Sequence, residues 1–98
     1  MDDLNPIDGL KREGRMRWLA AEQAWQARPD EVLDALARDG FQEYKREIAR
    51  SGRDANGGMW QGINTRTGAV ASAVWIRGAP TDQATVYIVI DGRPLRDP

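Results

Sequence analysis

The chain has 98 residues, 14 Lys and Arg against 15 Asp and Glu for a formal net charge of -1, and neither cysteine nor histidine. This length suits one domain with one core. The missing residue types exclude a disulfide framework and the usual zinc ligands, and the charge balance excludes a global positive field that would draw the chain to nucleic acid.

Residues 1–14 contain Asn5-Pro6, Gly9 and Gly14 and lack a sustained apolar stripe, so they read as a partly flexible N-terminal arm that Leu4, Ile7 and Leu10 help to pin. A single α+β domain is expected over 15–98, with helices across about 15–52 and strands across about 59–90. The first helix is predicted from Arg15 to Ala27, where Trp18, Ala21 and Trp25 fall at i, i+3 and i+7. Arg28-Pro29-Asp30 reads as a stop followed by a start, because Pro disfavours helix in its predecessor and Asp suits a cap or a first turn. A second helix follows to Arg38 on Val32, Leu33 and Leu36, with Gly40 as its left-handed terminator. Phe41, Tyr44 and Ile48 repeat the helical spacing and predict a third helix over Phe41–Arg50, stopped by Gly52.

The pattern then changes. Residues 1–54 hold twelve of the fifteen acids and ten of the fourteen bases, whereas Met59 to Ile90 reads as short apolar runs between turn residues. Ser51–Gly58 forms the hinge, Met59–Ile63 a first strand, and Asn64-Thr65-Arg66-Thr67-Gly68 a hairpin connection. In the second strand, Ala69–Ile76, Val70, Val74 and Ile76 alternate with Ala69, Ala71, Ala73 and Trp75. Ala84–Ile90 is apolar on both faces and reads as a central or partner-covered strand, ended by Asp91-Gly92. The expected fold is therefore α+β, two to three N-terminal helices packed on a three-stranded antiparallel β-meander.

The chain carries no specific chemical signature. Without histidine or cysteine it lacks the commonest general base and nucleophile, and Ser51 and Ser72 have no evident activating partner. Asp30 with Asp34, and Glu43 with Glu47, are carboxylate pairs at one-turn spacing, a pattern that more often faces solvent. A histidine-free nuclease built on Tyr44, Lys45, Arg46 and Glu47 is the least favoured reading, since neighbours on a helix point in different directions. Gly57-Gly58 lacks the Lys and Ser/Thr of a phosphate loop, and Asp91 with Asp97 offers too few oxygens for calcium. No cofactor, metal or catalytic residue is expected.

Binding remains. Four Trp is a high count for this length, and Trp is favoured at interface hot spots. Trp18 and Trp25 are assigned to the core, while Trp60, Trp75, Arg77 and Tyr87 are the expected protein-contact group on a sheet face opposite the helices. The reading is a non-catalytic protein-interaction or regulatory accessory module acting as a homodimer or on another protein. The alternative is a small winged-helix-like nucleic-acid regulator using Lys11, Arg12, Arg15, Arg17, Arg46, Arg50 and Arg66. No apolar run is long enough to span a membrane and the start, Met1-Asp2-Asp3-Leu4, is acidic, so a cytoplasmic location is expected. Arg outnumbers Lys twelve to two, a bias of GC-rich coding that suggests a bacterial, phage or plasmid origin.

Overall fold

The structure, a computed structural model, describes residues 5–49, 57–78 and 83–97. Its first element lies within the expected arm: Pro6–Arg12 is a helix, α1. The Asn5 side chain accepts from the Asp8 N–H at 2.9 Å, and Pro6 fills the first helical position, where its missing N–H has no partner to lose. Lys11 and Arg12 sit in the last turn, and Gly14, at φ +76°, lets the chain leave. Ile7 and Leu10 lie on one face and are both buried, which is enough to dock so short a helix.

The expected first helix is also corrected. Residues 15–27 form a hairpin of β1 (Met16–Leu19) and β2 (Ala24–Ala27), with Trp18 opposite Trp25. Their rings meet edge-on at 5.1 Å between centroids. Lys11 Nζ lies 5.0 Å above the Trp25 ring, and Trp25 Nε1 donates to the Leu95 carbonyl at 2.9 Å. Both partners come from outside the hairpin, so tertiary contacts complete it.

The second helix stands as expected. α2 spans Pro29–Arg38, with Val32, Leu33, Ala35 and Leu36 buried and Gly40 leaving at φ +109°. Asp30 does not cap; it lies in the first turn beside Glu31, near the positive end of the helix dipole. The expected third helix is corrected to a strand, β3 (Phe41–Ile48). Then come β4 (Gly58–Asn64), β5 (Val70–Ile76), β6 (Ala84–Ile90) and the short β7 (Arg93–Pro94).

The connection between β4 and β5 is the expected one. Gly68 takes φ +80°, and Asn64 Oδ1 accepts from the N–H groups of Arg66 and Thr67 at 3.0 and 3.2 Å. Asp91 and Gly92, at φ +54° and +80°, turn the chain from β6 into β7, because two positive φ values match the twist of a tight hairpin.

All pairings are antiparallel, in the order β1-β2-β6-β5-β4-β3, with β7 beside β6. The described residues thus form two helices and one seven-stranded sheet, which overturns the three-stranded meander with two to three helices. The expected strands are its middle, β4, β5 and β6; the segments misread as helices extend it on both sides. Ile7, Leu10, Val32, Leu33 and Leu36 from the helices join Trp25, Trp60, Trp75, Val86 and Ile88 from the sheet in a single core.

Candidate functional site

Among the described residues, two surfaces gather the side chains singled out from the sequence: the rim where α2 meets β3, and the sheet face turned away from the helices. The rim depends on a β-bulge. Glu43 pairs with Gly62 and Lys45 with Gln61, so Tyr44 has no partner and the alternation of the strand is reset. As a result Glu43 and Arg46, at an odd spacing, both face the helices. Gly62 makes room for the indole of Trp60: a Cβ there would stand 2.4 Å from Trp60 Cη2. The indole Nε1 donates to Glu43 Oε1 at 2.9 Å, and Arg46 donates to the same oxygen from Nε at 3.0 Å and Nη2 at 2.6 Å.

A cavity of about 280 Å³ opens beside this cluster, with Asp30 and Asp34 of α2 across from Glu43 and Arg46. Glu43, Arg46 and Trp60 engage one another, whereas Asp30 Oδ1 is buried without a hydrogen-bond partner. Asp34 binds Arg38 at 3.1 Å, and Glu43 satisfies the N–H of a buried tryptophan. No group of three or more acidic side chains among the described residues is arranged to hold a metal ion, Asp91 and Asp97 included. The expected Glu43 and Glu47 pair is separated, since Glu43 shares a face with Gly62 and Glu47 the opposite face with Met59. The same alternation divides the proposed nuclease cluster, sending Lys45 and Glu47 one way and Arg46 the other, with Tyr44 in the bulge.

Among the described residues, the basic side chains do not converge. Lys11 pairs with Asp8 at 3.8 Å, Arg15 with Glu13 at 3.4 Å and Glu31 at 3.2 Å, and Arg46 with Glu43. Arg12 is exposed at the end of α1, Arg66 at a hairpin tip, and Arg50 lies outside the described residues. Arg17 is on β1 and Arg46 on β3, the opposite ends of the strand order. The segment that a winged helix would use for recognition is the edge strand β3.

Of the expected protein-contact group, the two tryptophans are corrected. Trp60 and Trp75 are each 1% exposed and face the helices, because β4 places a glycine under each indole, Gly62 for Trp60 and Gly58 for Trp75. Tyr87 and Arg77 remain accessible, Tyr87 half-buried on the outward face and Arg77 beyond the end of β5 at φ +61°. They border a hollow of about 270 Å³ with Ile76 and Thr85.

The outward face holds residues that the sequence reading did not assign to function. Ile63, Val70, Val74 and Ile76 remain 38%, 40%, 42% and 37% exposed. Cross-strand pairing sets Met59, Val74 and Tyr87 in one row, Gln61, Ser72 and Val89 in the next, and Ile63 beside Val70. A signal for this face was present in β5. Its alanines alternate with its β-branched residues, and Ala71 and Ala73 are 0% exposed, so the small residues mark the side that accommodates the indoles and helices. Comparison of the chain with protein-family models, curated proteins and solved structures finds no match.

Proposed function

We propose that this chain is a non-catalytic protein–protein interaction module, an accessory or regulatory factor whose working surface is the outward face of its sheet. One observation carries the reading. The outward positions of β4, β5 and β6, all within the described residues, are Met59, Gln61, Ile63, Val70, Ser72, Val74, Ile76, Thr85, Tyr87 and Val89, without a single charge. An antiparallel sheet with one face in water normally alternates apolar-in with polar-out, and contiguous exposed apolar surface on a small protein marks an interaction site. Among the described residues, the charges nearest this face lie around it: Arg17 on β1 at one margin, Lys45 and Glu47 on β3 at the other, and Glu22 and Arg77 beside Tyr87 and Ile76 at one end, the arrangement of an apolar centre with a polar rim. No helix among the described residues is long and apolar enough to cross a membrane.

The test uses a dye that fluoresces on apolar protein surface, 1-anilinonaphthalene-8-sulfonate, at a protein concentration where sedimentation shows the chain to be monomeric. Wild-type protein is expected to bind it, and Val74→Lys, at the middle of the face, to lose most of the signal with its circular dichroism unchanged. Equal dye binding by the two proteins, or none by either, overturns the reading. In parallel, a labelled oligonucleotide titrated at low and moderate salt is expected to show no steeply salt-dependent binding, the signature of phosphate contacts.

A further inference from the structure

Resting on that reading, we infer that the occupant of the outward face is a second copy of this chain, packed sheet against sheet across a twofold axis. Size narrows the choice first. The strand β2, of four residues, and β6, β5, β4 and β3, of seven or eight, at about 3.3 Å per residue and a spacing of about 4.8 Å, give a flat footprint of roughly 520 Å². A specific interface takes about 800 Å² of accessible surface per partner, which side-chain relief over such a footprint approaches only when nearly the whole face is engaged. A docked helix is about 10 Å across and covers less than half of it. A broad surface of the same curvature is required, and another sheet of identical twist supplies one, since stacked sheets align within about 30° because of that shared twist.

Symmetry narrows it further. In a twofold interface each residue near the axis meets its own copy, so a charge at the centre would face a like charge. The central rows, Gln61–Ser72–Val89 and Met59–Val74–Tyr87, contain none. The margins carry both signs, Arg17 at one side and Lys45 with Glu47 at the other. The edges, by contrast, are unsuited to growth by strand addition. β3 is interrupted by its bulge and studded with Glu43, Lys45, Arg46 and Glu47, and β1 is only four residues long. Protection lies along both edges while the face is left bare.

Sedimentation velocity across a wide concentration range, at low and high salt, tests the inference with the wild-type chain, Val74→Lys and Ser72→Asp. The expected result is a wild-type dimer that persists in high salt, with a dissociation constant raised at least about tenfold in each variant. Near-ultraviolet circular dichroism confirms that both variants are folded, and since Ser72 and Val74 are partly exposed, one of the two serves if the other fails. A wild-type monomer at every concentration overturns the second-copy inference alone if the dye still distinguishes wild type from Val74→Lys. It overturns the interaction reading as well if the dye does not. A dimer that neither folded variant weakens uses another surface and overturns the second-copy inference, and the dye comparison again decides the interaction reading.

Discussion

Gly62 and Gly58 are positions where a single methyl group would drive into a buried indole. A Cβ at Gly58 would lie 2.5 Å from Trp75 Cζ2 and 2.8 Å from the Glu47 carbonyl oxygen, and the clash at Gly62 is with Trp60. Gly62→Ala is therefore expected to destabilise the fold by about 1–3 kcal/mol, the range for overpacking a filled site. Gly9, in α1, has nothing within 4 Å of where its Cβ would be. Gly9→Ala is expected to stabilise by about 0.5–1 kcal/mol through helix propensity. Urea denaturation of the two variants, followed by tryptophan fluorescence, should shift its midpoint in opposite directions. Asn64 is the third such residue, 4% exposed, with Nδ2 donating to the Asp39 carbonyl at 3.2 Å while Oδ1 holds the β4–β5 turn. Asn64→Ala leaves these backbone groups without their partner, and the same measurement should show a loss of about 1–3 kcal/mol.

At the scale of the element, the bulge in β3 both resets alternation and blunts an edge. Removing Tyr44 would leave Glu43 and Arg46 on their present side while turning β3 into a regular, flat edge strand. The deletion is expected to remain folded, with Trp60 still buried, but to self-associate progressively at high concentration. Size-exclusion profiles that stay unchanged with concentration would refute that role. The bulge also explains why β3 was not legible as a strand. Phe41 and Ile48 share the core side although their spacing is odd, which imitates a helical stripe; the extra residue Tyr44 produces that parity. Trp18 and Trp25 misled in a related way, since a separation of seven fits one face of a helix and also fits the two sides of a hairpin closed at Leu19–Ala24. Short strands of four residues leave too little alternation to separate the two. What was legible rested on stereochemistry with one reading: Pro29 opening α2, Gly40 closing it, Asn64 and Gly68 bounding a turn, and Asp91-Gly92 ending β6. For the candidate surface, the bare face was expected and its tryptophans were not the residues on it. Periodicity separates the two faces of a strand but does not say which the helices cover, whereas the glycines of β4 and alanines of β5 do.

For the whole molecule, the decisive relation is that β6 stands at the centre of the sheet, as its two apolar faces foretold, with β5 on one side and β2 on the other. The β1–β2 hairpin therefore has no backbone partner in the sheet until β6 is in place, and the β3–β4–β5 meander has one edge open until the same moment. Chain order and assembly order are thus opposed. Residues 16–27 leave a ribosome before residues 84–90, yet cannot join the sheet until those have been made. Closing so long a loop slows folding relative to local hairpins and helices, and domains dominated by such pairings fold in milliseconds to seconds. A chain stopped after Ile76 should accordingly show the signature of an unfinished fold, a hairpin and a meander with water-exposed indoles, while the 98-residue chain should refold in one cooperative step. During that interval the growing protein presents two unpaired sheet edges, which makes the arrival of its penultimate strand the point at which nascent chains pass from aggregation-prone to safe.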